Sequence, residues 1–305
     1  MSIKPQNPGI YQTLIAQLDK ISRHNRQGSF RTKKRYYEGM RRFCRFLADH
    51  YHLQKLANIS AKHLVAYVRY LQEQGLSAAT IKTELAAIRF FHDKMEQTKY
   101  RLPSNDELAV ELERRRFGGV DRTWSVREFN LFLTTCMADG HEDFTAIACL
   151  TWYAGLRIHE CFRIDTAIAA QALRENAITI KGKGGKIRTV PINESIRIEL
   201  KKMLAITKRG HKLFVADDEL THTAIGRLQQ YIYKVRPQIQ DEGSARPMTH
   251  HGLRHSFAAR TYQELIDSGM SPLSASLRVS RLLGHERPDV TNVYLTSVKD
   301  GATHD

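Results

Sequence analysis

Only one stretch of this chain breaks an otherwise helical pattern. Ala177-Ile178-Thr179-Ile180 and Ile187-Arg188-Thr189-Val190-Pro191 are rich in β-branched residues. They flank Lys181-Gly182-Lys183-Gly184-Gly185-Lys186, a turn of glycines and lysines. Two short runs of this kind around a glycine turn predict a β-hairpin. Elsewhere the apolar residues recur every three or four positions, which is helical spacing. The chain is therefore expected to be mainly α with one small β-sheet.

Its 305 residues are enough for two domains, each with its own core. The domains are expected at 1–116 and 117–305. In the first, Tyr36, Met40, Phe43 and Leu47 fall on one helix face. Lys33, Lys34, Arg35, Arg41, Arg42 and Arg45 cover much of the rest, either as a solvated basic surface or as one that faces phosphates. Ser60 is placed to cap a second helix with Leu64, Val68 and Leu71 inward, and Gly75 to end it. Ser77 is placed to cap a third, with Ile81, Leu85 and Ile88 inward. Residues 1–30 are polar and are expected to be partly ordered at best.

Residues 103–123 read as a linker region, with a short helix continuing over 111–116 until Phe117-Gly118-Gly119 breaks it. Ser125-Val126-Arg127-Glu128 has the spacing of a capping box and opens the second domain. Residues 144–155 are apolar and small, as in a buried helix, and Gly155 is placed to end or bend it. Helical spacing returns over 194–208 and 220–235.

The net charge is +15, and it is uneven. Residues 1–116 carry 22 Lys and Arg against 11 Asp and Glu, whereas 117–305 carry 25 against 21. An excess of this size points to a polyanion partner, and the N-terminal part has the stronger case for gripping phosphates. Cys44, Cys136, Cys149 and Cys161 are scattered, which argues against a disulfide framework and against a zinc site. The N-terminus has no apolar signal-peptide core, and no run of about 18 apolar residues occurs. A cytoplasmic protein without membrane contact is expected.

Several groups carry potential chemistry. Arg157 precedes Glu160 by three residues, so the two can pair on one helix face. His251 and Arg254 share a face if their segment is helical, and Pro247 and Thr249 suit the start of that helix. Gly284 in Leu282-Leu283-Gly284-His285 suits a helix C-terminus. Taken singly, each has an ordinary structural explanation.

Together, and in this order, they resemble the tyrosine recombinase (phage integrase) family. Gly155-Leu156-Arg157-Ile158-His159-Glu160 resembles G-L-R-x-x-E. Lys183 sits at the position of the family's hairpin lysine. His251-Gly252-Leu253-Arg254-His255 resembles H-x-L-R-H, and Leu283-Gly284-His285 resembles L-G-H. Tyr294 follows His285 by nine residues, where the family has its nucleophile. The resemblance spans nearly the whole chain, although Asp165 falls earlier than the aspartate that often follows the glutamate motif.

The resemblance implies a helical core-binding domain that clamps DNA and a mixed α/β catalytic domain, together wrapping duplex DNA. It implies site-specific recombination through a 3′-phosphotyrosyl intermediate, as in an integrase or resolvase of a mobile element. Arg157 and Arg254 would hold the phosphate oxygens. His251 would take the phenol proton of Tyr294, His285 would hydrogen-bond the phosphate, and Lys183 would protonate the 5′-hydroxyl that leaves. No metal or other cofactor is expected. The partners implied are double-stranded DNA and further copies of the chain, as a homotetramer on DNA, with accessory DNA-bending proteins in some relatives. Only eleven residues follow Tyr294, which leaves the contacts between subunits open. A relaxing enzyme of the type IB topoisomerase kind, or a DNA-binding protein of the same fold without catalysis, would share these features.

Overall fold

The computed structural model describes residues 4–23, 30–113, 120–182, 185 and 187–284. The chain divides into two compact units, Met1–Arg116 and Phe117–Asp305.

Among its described residues, the regular elements of the first unit are all helical. Helix α1 (Pro8–Arg23) is followed by α2 (Phe30–Tyr51), α3 (Ala61–Glu73) and α4 (Ala78–His92). The polar N-terminal segment therefore contains a helix that its composition concealed. Leu14 and Leu18, one turn apart, are fully buried and tie α1 to the core. Met40, Phe43 and Leu47 are likewise buried, as their spacing predicts. Ser60 and Ser77 are the N-caps of α3 and α4, and the Thr80 N–H donates to Ser77 Oγ over 3.3 Å.

Arg42 stays exposed on the basic surface, yet it is tied to a buried carboxylate. Its Nε and Nη2 donate to Glu84 Oε2 and Oε1 at 3.1 and 2.5 Å, and the Tyr67 hydroxyl donates to the same carboxylate. Glu84 is buried, so a paired and hydrogen-bonded arrangement is what keeps its charge tolerable. Leu102 and Leu108 pack into this first core, which makes residues 102–108 part of the unit rather than a linker. Residues 111–113 are not helical, and 114–116 lie outside the described residues. The short helix expected there is thus absent at its start, where Leu102 and Leu108 have already committed the chain to an irregular path.

The second unit opens at α5 (Val126–Ala138), where the capping box is formed: Ser125 N–H donates to Glu128 Oε2 at 2.8 Å and Glu128 N–H to Ser125 Oγ at 3.1 Å. Helix α6 (Glu142–Ala154) is buried along most of its length and forms the centre of the core. The Phe129 ring stacks on Trp152 with centroids 4.2 Å apart. Gly155 ends α6 in the left-handed region at φ 62°.

After the one-turn α7 (Ile158–Cys161), α8 (Thr166–Glu175) leads into the hairpin. Asp165 caps α8, accepting the Ile168 N–H at 2.8 Å, so this aspartate has a local structural role. Strands β1 (Ala177–Lys181) and β2 (Ile187–Pro191) pair antiparallel, with Ala177 opposite Pro191 and Lys181 opposite Ile187. Ile178, Ile180 and Val190 point into the core. Helices α9 (Glu194–Ile206), α10 (Thr221–Ile239), α11 (His250–Asp267) and α12 (Pro272–Leu283) complete the unit. The protein is mainly α with a two-stranded sheet. All four cysteines are free and buried.

Candidate active site

The site is assembled where α6 ends and α11 begins. Only a residue that tolerates positive φ fits at 155, and the space there is also closed. A Cβ on Gly155 would lie 2.5 Å from Cδ1 of Phe257 on α11. The turn buries Leu156 completely and delivers Arg157 to the first position outside α7.

Arg157 is held from below by Glu160. Its backbone N–H donates to Glu160 Oε2 at 2.7 Å and its Nη1 to Oε1 at 3.0 Å. Glu160 itself is fully buried. Arg188, on β2, completes its coordination, with Nη1 and Nη2 donating to Oε1 and Oε2 at 2.8 and 2.7 Å. Burial alone would raise the pKa of this carboxyl. The bidentate bond and charge of Arg188 outweigh it, with the Arg157 backbone bond and charge adding to them, and bring it down to about 2. Arg188 also donates from Nε to the Leu282 carbonyl at 3.0 Å, so one guanidinium joins the hairpin, the Glu160 carboxylate and the end of α12.

Helix α11 supplies His251 and Arg254 from one face, as their spacing predicts. Its first turn is pinned by Trp124. The Trp124 indole N–H donates to the Thr249 carbonyl at 3.0 Å and its backbone N–H to Ser256 Oγ at 2.7 Å. Gly252 makes this approach possible, because a Cβ there would lie 2.3 Å from the Arg122 carbonyl oxygen and 2.7 Å from the Trp124 ring. The variable position of H-x-L-R is thus fixed as glycine by packing.

Arg254 is fully buried. Its Nη1 donates to the Gly155 carbonyl, and its Nη2 to the Leu283 carbonyl at 2.6 Å. These bonds fasten α11 to the turn before Arg157 and to the end of α12. Arg157 is the more accessible arginine, with 24% of its side chain exposed. His251 and Arg157 line one cavity of about 550 Å³, together with His159, Thr249 and residues of α10.

Their surroundings hold His250, His251 and His255 below the ordinary imidazole range. Burial and then the charges of Arg254, Arg157 and Arg122 push His251 down to about 4. The residue is exposed to solvent on one side, and Arg254, Arg157 and Arg122 all oppose its protonation. His250 and His255 are buried and pushed down to about 3, His250 by burial and His251, His255 by burial and then chiefly His251 and Arg122. His250 Nε2 lies 3.0 Å from Thr151 Oγ1 on α6, a structural contact.

Of the six expected site residues, Arg157, His251 and Arg254 are brought together. Lys183, His285 and Tyr294 lie outside the described residues. The elements that lead to them are described: β1 and β2 flank Lys183, and Gly284, which precedes His285, caps α12 at φ 64°. Arg188 is the residue that sequence reasoning missed. Its signal was parity: it shares a strand face with the buried Val190, and an inward charge requires a partner. Among the described residues, no group of three His, Cys, Asp or Glu side chains could hold a metal ion.

The sequence and the fold have counterparts among known proteins. Residues 127–300 match the Phage integrase family, and residues 17–99 match the Phage integrase N-terminal SAM-like domain. Tyrosine recombinase XerD of Halalkalibacterium halodurans is 25% identical over 276 residues, covering 86% of each chain. The fold is similar to that of XerH site-specific recombinase bound to palindromic difH substrate in a post-cleavage complex, with a TM-score of 0.62, 18% identity, and 99% of this chain and 91% of that one covered. It is also similar to a lambda integrase (75–356) dimer bound to a COC′ core site, with a TM-score of 0.64, 17% identity, and coverage of 92% and 95%. By sequence family, by fold and by the arginine motifs that meet at the cavity, this chain belongs to the phage integrase family of tyrosine recombinases.

Proposed function

We propose that this protein is a site-specific DNA recombinase that cleaves one strand with Tyr294 and rejoins it to another. The observation that carries the reading is the meeting of Arg157 and His251 at one cavity, with Arg254 buried beneath and Glu160 holding Arg157 in place. A phosphodiester needs positive charge around its non-bridging oxygens when a fifth oxygen approaches phosphorus. Arg157, the exposed arginine, supplies a planar fork for them. Arg254 adds charge from within the protein while it fixes the helix that carries His251.

A free phenol has a pKa of about 10 and is a weak nucleophile while protonated. A neutral His251 can accept that proton. The Tyr294 oxygen then bonds to phosphorus as the bond to the 5′ oxygen breaks, leaving a 3′-phosphotyrosyl link. Lys183 gives its proton to the departing 5′ oxygen, and His285 hydrogen-bonds the phosphate. Attack by a 5′-hydroxyl of another strand reverses these steps and frees the tyrosine. The phosphoester bond is conserved throughout, so strand exchange needs no ATP.

Units 1–116 and 117–305 act in this reading as the core-binding clamp and the catalytic domain. Four copies assemble on two duplexes, with accessory DNA-bending proteins in some settings. The setting is a mobile element in the cytoplasm, with the protein as its integrase or resolvase. Among the described residues, no helix is long and apolar enough to cross a membrane.

The test is a pool of random duplexes, incubated with the protein and selected for covalent attachment under denaturing conditions. The wild type should enrich one sequence, joined through a 3′ phosphate. Arg157→Ala should still shift that duplex in a gel without attaching to it. Absence of covalent attachment at every sequence would contradict the reading.

A further inference from the structure

The cavity that Arg157 and His251 line has a second wall, formed by Gln229, Ile232, Tyr233 and Arg236 of α10. None of the catalytic steps above uses this wall, yet its chemistry is unusual for a helix surface. Tyr233 is 66% exposed, a large aromatic ring turned towards solvent. The Arg236 guanidinium lies over that ring, 4.1 Å from its centroid. The two are three residues apart, so the stack is built within one helix and exists before any partner arrives. Arg236 makes no ion pair with a carboxylate among the described residues. A guanidinium held over an aromatic face by a residue of its own helix keeps N–H groups available to an anion, which suits a phosphate.

The rest of the cavity fits the same ligand class. Arg157 and His159 line the same cavity as the stack, and among the described residues no Asp or Glu lines it. Its volume of about 550 Å³ exceeds what one phosphate group needs.

Resting on the recombinase reading, we propose that Arg236, set in place by the Tyr233 ring, binds a backbone phosphate of the DNA beside the one held by Arg157. Arg236 is a positioning residue in this arrangement: it anchors the strand, and it touches no reacting atom. Tyr233 acts through its ring and not through its hydroxyl.

The experiment uses the full-length protein and a generic fluorescein-labelled 30-base-pair duplex, with affinity measured over a series of salt concentrations. Each phosphate contact contributes about one to the slope of log affinity against log salt. Arg236→Ala should lower that slope by about 1 and weaken binding about tenfold near 0.1 M salt. Arg236→Lys should keep the slope and lose part of the affinity, because the charge stays and the guanidinium over the ring is lost. Tyr233→Ala should weaken binding, whereas Tyr233→Phe should match the wild type. Arg174→Ala, on the exposed side of α8, is the control and should change nothing. An unchanged slope for Arg236→Ala, or a loss for Tyr233→Phe as large as that for Tyr233→Ala, would overturn the proposal while leaving the recombinase reading in place. A wild-type protein that does not bind the duplex would overturn both.

Discussion

Arg188 on the hairpin grips Glu160 with two parallel hydrogen bonds of 2.8 and 2.7 Å, and the same carboxylate holds Arg157. The accessible arginine of the site is therefore oriented by a second arginine that lies behind it. With 10% of its side chain exposed against a fully buried Glu160, this pair is desolvated. Removing one partner from such a pair leaves a buried charge and costs several kcal/mol, whereas surface pairs are nearly neutral.

Arg188→Ala should thus destabilise the second unit by about 3 kcal/mol. Below its melting temperature it should bind DNA and cleave it poorly. Arg188→Lys should recover only part of this, because an ammonium cannot bridge both carboxylate oxygens and the Leu282 carbonyl. Urea unfolding and single-turnover cleavage check the two effects. A variant that loses stability and keeps its cleavage rate would show that Arg188 has no part in orienting Arg157.

The pH dependence of stability follows from the buried histidines. His250 and His255 titrate near 6.5 when unfolded and near 3 when folded. Below 6.5 the unfolded chain binds more protons, so stability is full above that pH and falls with acid down to about 3. Two such groups should cost about 2 kcal/mol between pH 6 and pH 5. Glu160 acts lower: its contribution is present above about 4.5 and is lost as the pH falls towards 2. Urea midpoints at pH 5, 6 and 7.5 measure the histidine effect. His255→Asn should flatten it, and an equally steep decline in that variant would contradict the assignment.

Gly252 is predicted to be intolerant of any side chain. The obstacle is the Arg122 backbone carbonyl, 2.3 Å from a Cβ at that position, together with the Trp124 ring. Gly252→Ala should cost about 2–4 kcal/mol and displace the first turn of α11, so cleavage should fall with stability. Gly226, on α10, has nothing within 4 Å of a Cβ, and Gly226→Ala should be neutral or slightly stabilising. Thermal melts of the two variants side by side make the comparison.

The two candidate arginines should also separate. Arg157→Ala should leave the melting temperature nearly unchanged and abolish cleavage. Arg254→Ala should lower both, because the carbonyls of Gly155 and Leu283 lose their donor. Equal melting temperatures for the two variants would mean that the buried position of Arg254 contributes little.

Much of this was legible in the sequence because local and global signals agreed. Ser60, Ser77 and Ser125 cap helices where their spacing places them, and Gly155 and Gly284 end helices in the left-handed region. The motifs gave Arg157, His251 and Arg254 their neighbourhood. Helix α1 was hidden because only Leu14 and Leu18 of its residues are fully buried, too few to dominate a polar composition. Residues 103–108 read as part of a linker because the burial of Leu108 depends on a surface made by distant helices. The ion pairs of Arg42 and Arg188 were hidden for a related reason: their carboxylates, Glu84 and Glu160, are 42 and 28 residues away. Such pairs are tertiary facts that no local pattern carries.

The central claim is that Tyr294 forms a covalent bond with DNA. The most direct measurement is covalent capture in cells: lysis in denaturant, recovery of the protein and sequencing of attached DNA, for the wild type and Tyr294→Phe expressed at equal levels. DNA retained by the wild type alone, concentrated at one sequence, is the predicted result. DNA retained equally by Tyr294→Phe, or retained by neither protein, would contradict it.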